Sequence, residues 1–188
     1  MPVKFIFNNP KLQTWMLLHQ ASNTMEKCEE SKFSPLGLTT QQHAILMAVK
    51  YSPPPSSLTQ IADWVDRHAN SITLIADRMV KNGLVKRVRN AQDRRSYSLE
   101  MTSKGEKYLQ TGTETGSTLV QEIMGCLTNQ ELQRLSEFLE KIRAKAIEQC
   151  YEKKTITEIK ITEYDSKLKD VQKTTKLKKV RSVKKIKS

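Results

Sequence analysis

Apolar side chains recur along this sequence with the spacing of α-helices, and the clearest case lies between His68 and Lys81. Its apolar positions follow the i, i+3, i+4, i+7, i+8 pattern of a helix with one buried face: Ile72, Ile75, Ala76, Met79 and Val80. Asn82 and Gly83 then stop the pattern, because glycine suits the left-handed position just beyond a helix end. We therefore predict an amphipathic helix over about residues 68–81.

Three helices are predicted upstream of that segment. The first begins at Asn9-Pro10, a favoured cap followed by a favoured first helical residue, and runs to about Cys28. The stretch SKFSPLGL is predicted to be a loop because it contains proline and glycine. The second helix begins at the capping box Thr39-x-x-Gln42 and ends before the prolines at 53–55. The third covers Leu58–Val65.

Alternating apolar and polar residues after Gly83 indicate a β-hairpin. Leu84–Val88 and Ser96–Met101 are the predicted strands, and a polar loop joins them. Three short helices followed by such a hairpin are typical of a winged helix-turn-helix. The predicted fold is therefore mainly α with a small β-hairpin wing, and the helix over 68–81 would enter the DNA major groove.

Two long helices are predicted after the hairpin. One begins at Thr102 or Ser103, with Glu106 completing a capping box from Ser103, and extends toward residue 126 although two glycines weaken it. The other begins at the capping box Thr128-x-x-Glu131. Its apolar seam predicts a helix–helix packing surface, including that of a dimer, and consists of Leu132, Leu135, Leu139 and Ile142.

The outer face of the helix over 68–81 carries small polar and basic side chains, which suit contact with base edges and phosphates. The predicted DNA contacts on this helix are Asn70, Ser71, Thr73, Leu74, Arg78 and Lys81. Leu74 is either an ordinary exposed leucine or a contact to a thymine methyl group.

The hairpin adds a second set of predicted DNA contacts: Arg87, Arg89, Arg94 and Arg95. Arginines at the tip of a wing can enter the minor groove, where negative potential is enhanced in A·T-rich sequence. Asp93 is predicted to orient these arginines rather than to touch DNA, because its carboxylate repels phosphate. The alternative is an ordinary solvated turn, which the further cation at Lys86 makes less favourable.

The charge of the chain strengthens the prediction of a polyanionic partner. There are 32 Lys+Arg against 20 Asp+Glu, a formal net charge of +12. Residues 153–188 hold 13 basic and 4 acidic side chains, a net +9, without a lasting helical or strand period. We predict that they form a disordered, Lys-rich tail behind a DNA-binding and dimerisation domain over residues 1–152. This tail keeps open a rival interpretation, a nucleic-acid binder without sequence preference.

Other functional classes find little support in the residues. No catalytic triad spacing, paired-carboxylate motif or Gly-rich phosphate loop is present, so neither an enzyme nor a cofactor is predicted. No apolar run reaches 18 residues, and the histidines and cysteines are too scattered for a metal site. Cys28, Cys126 and Cys150 fit a reducing cytoplasm; we predict buried, inert thiols, with oxidant sensing as the alternative.

The sequence resembles the MarR family of bacterial winged-helix regulators over most of residues 38–105. The resemblance rests on LTTQQHAIL, LTQIADWV, NSITLIADRMVKNGLV and the wing RVRNAQDRRSYSLEMTSKG. It implies a homodimeric transcription factor that binds double-stranded DNA, which we expect to be a repressor on a pseudo-palindromic operator. It also implies that Arg95 is the minor-groove arginine and that Asp77-Arg78 is the family's Asp-Arg pair. The turn Asp66–His68 departs from the family, which usually has a glycine there.

Some members of that family bind phenolic effectors between their dimerisation and DNA-binding parts. By this resemblance an apolar stripe on the first helix is a candidate lining of an effector pocket: Trp15, Met16 and His19. Such a stripe is more often part of the core. A last rival, a winged helix that docks on another protein, is disfavoured by the arginines of the wing.

Overall fold

The computed structural model of the chain describes residues 3, 5–52, 54–89 and 97–150. The chain divides into two compact units, residues 1–115 and 116–188. The helices are α1 (Pro10–Phe33), α2 (Thr40–Tyr51), α3 (Leu58–Trp64), α4 (Ala69–Lys81), α5 (Ser103–Met124) and α6 (Asn129–Cys150). The strands are β1 (Ser56–Ser57), β2 (Val85–Arg89) and β3 (Tyr97–Met101). The predicted fold class, mainly α with a small β wing, is confirmed.

Helix α1 is longer than the apolar pattern predicts. It continues past Cys28 to Phe33, and a 3₁₀ turn over Ser34–Leu36 follows. Phe33 is buried, and its ring centroid lies 4.9 Å from that of His43 on α2. The prediction of a loop from residue 31 is therefore wrong. Tertiary burial of one aromatic side chain extends the helix through a polar stretch that carries no periodic signal of its own.

Capping boxes set the starts of α2 and α3. The Gln42 N–H donates to Thr39 Oγ1, and the Thr39 N–H donates to Gln42 Oε1, both at 3.1 Å, which confirms the prediction. Ser57 and Gln60 form the same reciprocal pair at the start of α3, at 3.2 and 2.8 Å. This second box was not predicted, although Ser-x-x-Gln is a capping-box pattern.

The wing sheet has three strands in the order β1-β3-β2, all antiparallel, rather than the predicted two. Strand β1 pairs Ser56 with Leu99 of β3, which also faces Arg87 of β2. Ser56 is almost fully buried, and its hydroxyl donates to the Val49 carbonyl oxygen at 3.4 Å. A two-residue strand directly after a proline-rich stretch shows no alternation, so the sequence pattern could not predict it.

The start of α5 is packed directly on the turn before β2. The Thr102 hydroxyl accepts from the Gly105 N–H at 3.0 Å and lies 2.7 Å from the Gly83 carbonyl oxygen, to which it donates. A Cβ atom on Gly105 would lie only 2.1 Å from the carbonyl oxygen of Leu84. Glycine at this position therefore allows two backbones to approach more closely than any side chain permits.

Thr102 is accordingly the capping side chain of α5, one of the two predicted alternatives. The predicted box between Ser103 and Glu106 is replaced by an ion pair, in which the Glu106 carboxylate lies 3.5 Å from Lys50 Nζ on α2. The helix runs without interruption through Gly112. A Cβ atom there would lie 2.5 Å from His43 Cδ2, so this glycine lets α5 pass close to α2.

The core of the first unit lies between the three helices of the helix-turn-helix and the sheet. Its fully buried large side chains include Ile45, Leu46, Ile61, Ile72, Met79 and Leu99. The turn from α3 to α4 contains Asp66 with φ 50°. Aspartate tolerates this left-handed conformation better than most residues, which explains how the turn forms without the expected glycine.

Helix α6 belongs to the second unit and has no buried residue. Its capping box is confirmed, since Thr128 Oγ1 accepts from the Glu131 N–H at 3.3 Å. The prediction that the cysteines are buried is wrong: Cys126 and Cys150 are exposed and Cys28 is half-buried. Within the described part of the chain, no helix is long and apolar enough to cross a membrane.

Candidate nucleic-acid interface

Helix α4 presents two chemically different faces. Ile72, Ala76 and Met79 are buried, as the periodicity predicts. The opposite face is open to solvent and holds most of the side chains predicted to contact DNA: Asn70, Ser71, Leu74, Arg78 and Lys81 are exposed, and Thr73 is half-buried. Polar groups on a rigid helix, backed by a packed core, form a surface that can enter a groove without rearrangement.

The N-terminal turn of α4 is open to anions. His68 stands at the cap position, but its side chain makes no capping hydrogen bond. Its carbonyl oxygen accepts from the Ser71 N–H at 3.0 Å and from the Ile72 N–H at 3.4 Å, so the amides that precede Ser71 have no partner within the helix. Unsatisfied amides and the helix dipole both favour a phosphate group at such an end.

Three cations on this side of the unit have no acidic partner among the described residues. Arg78 and Lys81 on α4 and Arg89 at the end of β2 are exposed, and across the described ranges none of them forms an ion pair. Lys86 differs, because its Nζ lies 2.8 Å from the carboxylate of Glu100, its partner across the sheet. The unpaired cations are therefore available to bind phosphate.

Arg87 is engaged within the protein, although the sequence predicts that it contacts DNA. Its guanidinium donates to the carboxylate of Asp77 on α4 and, at 2.9 Å, to the hydroxyl of Tyr97 on β3. It also lies over the Tyr97 ring, 4.0 Å from the centroid. The arginine thus connects α4 to both long strands of the wing. This connection was not predicted from the sequence.

A signal for part of this cluster exists in the sequence. In the observed register Arg89 faces Tyr97, so Arg87 is the diagonal neighbour of that tyrosine on the same face of the sheet. A correct register for the predicted hairpin would therefore have brought Arg87 and Tyr97 together. The contact with Asp77 depends on how α4 packs against the sheet, and no local pattern reports that.

The tip of the wing lies outside the described residues. Asp93, Arg94 and Arg95 all fall between residues 90 and 96, so their predicted roles stay predictions. The same holds for the basic tail, since the described residues end at 150.

The residues predicted to line an effector pocket lie on the outer side of α1. Trp15 is 58% exposed, and its ring stands edge-on to that of His19 at a centroid distance of 4.9 Å. Met16 is half-buried and His19 is exposed. A cavity of about 430 Å³ lies between α1, α2, α3 and α4, but none of these three residues lines it.

The predicted dimer seam on α6 is largely open to solvent. Leu132 and Leu135 are half-buried, while Leu139 and Ile142 are 41% and 40% exposed. Phe138, which was not predicted as part of the seam, is 58% exposed beside them. A run of exposed large apolar side chains on one helix face is typical of a protein–protein interface.

Comparison with known proteins finds relatives of this arrangement. The sequence profile of the MarR family matches residues 38–97, from the start of α2 through β2 to the first residue of β3. Over these residues the chain is similar to the MarR family. An uncharacterized HTH-type transcriptional regulator named YpoP, from Bacillus subtilis (strain 168), is 31% identical to the chain over 91 residues. That match spans 48% of this chain and 64%, just under two thirds, of the relative.

Solved structures of MarR-type regulators share the fold of this domain. A mutant of MarR from E. coli in complex with operator DNA superposes with a TM-score of 0.66 at 22% identity, covering 73% of this chain and 99% of that protein. The organohalide-sensing regulator RdhR in its 2,4-dichlorophenol-bound form gives a TM-score of 0.73 at 21% identity, covering 86% and 99%. At these identities the likeness shows a common winged-helix architecture.

Proposed function

We propose that this protein is a MarR-family regulator, a cytoplasmic transcriptional repressor that binds a pseudo-palindromic DNA operator as a homodimer. Helix α4 would enter the major groove, and the wing tip with Arg95 would reach the adjacent minor groove. The observation that carries this proposal is the exposed face of α4, where an uncapped N-terminus and unpaired cations stand on a buried apolar base. The operator complex formed by the structurally similar E. coli MarR mutant supports the same mode.

The dimer is supported by the exposed seam on α6. Two recognition helices related by a two-fold axis would read half-sites about one DNA turn apart, roughly 34 Å, which gives the operator its pseudo-palindromic form. A small effector that changes this spacing would release the repressor by a shift between two arrangements. The 2,4-dichlorophenol-bound form of the similar regulator RdhR supports the idea of a bound effector.

The experiment is to select bound sequences from a random duplex library and to compare affinity for the selected operator with affinity for a scrambled duplex. Arg78→Ala should weaken operator binding by about 1–3 kcal/mol, the usual contribution of a groove contact. Arg134→Ala, which removes an exposed arginine from α6, is the matched control and should leave affinity unchanged. Failure to enrich any sequence would contradict the proposal.

The net +9 of residues 153–188 favours one competing function, binding of any nucleic acid through the tail. Truncation after Glu152 separates the two. A tail that only neutralises phosphates raises affinity for operator and scrambled DNA by the same factor and steepens the salt dependence. We expect the truncated protein to bind both duplexes more weakly, with a nearly unchanged ratio between them. A ratio that was near one before truncation would favour the competing function.

A further inference from the structure

The cavity inside the first unit has the size and lining of a small-molecule site. Its volume is about 430 Å³, within the range of roughly 300–1,000 Å³ that is usual for ligand pockets. Apolar side chains from α1, α2 and α4 line it, including Met25, Ile45, Ile72 and Ile75. Trp64, at the end of α3, adds an aromatic wall. The site therefore suits a ligand with a compact apolar or aromatic body.

The charged groups of the lining are predominantly acidic. Glu26 and Glu29 stand one helical turn apart on α1, and both line the cavity. Neither forms an ion pair with any residue in the part of the chain that the structure describes. Burial of Glu29, together with repulsion from Glu26, raises the pKa of the Glu29 carboxyl above its ordinary value. A cation placed beside these two carboxylates would offset both the burial of Glu29 and its repulsion by Glu26.

The one basic side chain of the lining does not cancel this charge. Arg67 and Glu26 are exposed, whereas Glu29 is half-buried. Solvent screens the exposed guanidinium more than it screens the desolvated carboxylate. The wall of the cavity therefore attracts a single positive charge.

From this lining we infer that the cavity binds an organic monocation with an aromatic or branched apolar body. The cationic head would lie beside Glu26 and Glu29, and the body would pack against Trp64 and the isoleucines. An aromatic ring in reach of a bound ammonium group adds attraction through its negative face. Trp15, Met16 and His19 have no part in this site.

A ligand at this site would contact the inner side of α4. Ile72 and Ile75 belong to the inner side of α4, while Leu74 and Arg78 on its outer side belong to the surface proposed to bind DNA. A ligand that favours one placement of α4 over another must change the affinity for DNA, and DNA must change the affinity for the ligand by the same factor. This coupling rests on the proposed function; binding of the cation does not.

The test uses the full chain without DNA and two probes of opposite charge. Benzyltrimethylammonium and phenylmethanesulfonate share a benzyl group and a tetrahedral head. Calorimetric titration should show binding of the cation, with the anion bound at least about ten-fold more weakly, as expected for a contact between charged groups. Equal affinity for the two probes, or no binding of the cation at millimolar concentration, would overturn the inference.

Two substitutions on the same helix localise the site. Glu29→Gln preserves shape and removes the charge, so it should weaken binding of the cation about ten-fold. Glu30→Gln is the matched control, because Glu30 is exposed and does not line the cavity. Should Glu29→Gln fail to fold, Glu26→Gln serves in its place. Unchanged affinity in the folded variant would place the cation elsewhere and overturn the assignment.

A second titration into the protein–operator complex measures the coupling. The cation should change operator affinity, and Glu29→Gln should weaken that response. A protein that binds the cation in the first experiment but no DNA in the second contradicts the proposed function and leaves the cavity assignment standing.

Discussion

The guanidinium of Arg87 on β2 donates a hydrogen bond to the carboxylate of Asp77 on α4. One side chain thereby joins the helix proposed to read DNA to the wing that follows it. The contact with Tyr97 fixes the same guanidinium from the other side, so its position is determined by three elements.

We predict that Arg87 positions the wing and does not contact phosphate. Arg87→Gln and Asp77→Asn should each weaken operator binding by about 1 kcal/mol, in line with exposed ion-pair and cation–π contributions. The double variant should bind the operator no more weakly than the weaker-binding single variant, since all three variants remove the same interaction. Titrations at several salt concentrations provide the measurement.

The control for this prediction is Arg89→Gln. Each phosphate contact that is lost lowers the slope of log K against log salt by about one. Arg89, which has no ion pair among the described residues, should show that decrease. The slope of Arg87→Gln should stay at the wild-type value, and a decrease there would identify Arg87 as a phosphate contact.

Gly105→Ala should destabilise the first unit by at least about 1–3 kcal/mol, the usual cost of overpacking a site that cannot yield. The obstacle is the Leu84 carbonyl oxygen, 2.1 Å from the new Cβ. Gly83→Ala is the comparison: it has φ 68° but no atom within 4 Å of its Cβ, so it should cost only about 1 kcal/mol of conformational strain. Urea unfolding measures both, and equal losses would refute the role of the close approach.

His43 should make stability depend on pH. Burial lowers the pKa of His43 from 6.5 to about 4 in the folded protein, so the unfolded chain binds its proton first as pH falls. The free energy of unfolding is therefore highest above about pH 6.5 and falls progressively toward pH 4, by up to about 3 kcal/mol. His43→Leu should flatten the unfolding free energy across this window. An unchanged pH dependence in that variant would assign it to other groups.

The seam on α6 should be required for the dimer. Leu135→Asp combined with Leu139→Asp would bury two unpaired charges in an interface, each costing several kcal/mol, but would cost little on a free surface. Sedimentation should show monomers or misfolded protein, with loss of operator binding. The control is Gln133→Asp with Ala144→Asp on the opposite, exposed face. An intact dimer of the leucine variant would exclude α6 from the interface.

Local signals predicted the parts of the fold that local interactions determine. The buried stripe of α4, the left-handed Gly83 and the capping box at Thr39 each follow from residues within one or two turns. Features that depend on distant parts of the chain were missed. Phe33 extends α1 because it meets His43, and β1 exists because Ser56 meets β3.

The residues of the candidate site also fall into those that local patterns predict and those that depend on distant contacts. Exposure of Asn70, Ser71 and Arg78 could be read from helical projection alone. The engagement of Arg87 could not, because it needs the register of the hairpin and the packing of α4 together. The exposure of Trp15 could not be predicted either, because an apolar stripe does not reveal which neighbour, if any, covers it.

The pairing of β1 with β3 has a consequence for the order of folding. The two strands flank α3, α4 and β2 in the chain, so their ladder closes a long loop. The entropy of such a closure must be offset before the contact contributes anything, which slows non-local pairing relative to local helix formation. We therefore expect the helix pair to form first and β1 to dock on it late. Interactions formed late contribute mainly to slow unfolding, so we expect β1 to set the lifetime of the folded wing more than the rate at which it assembles.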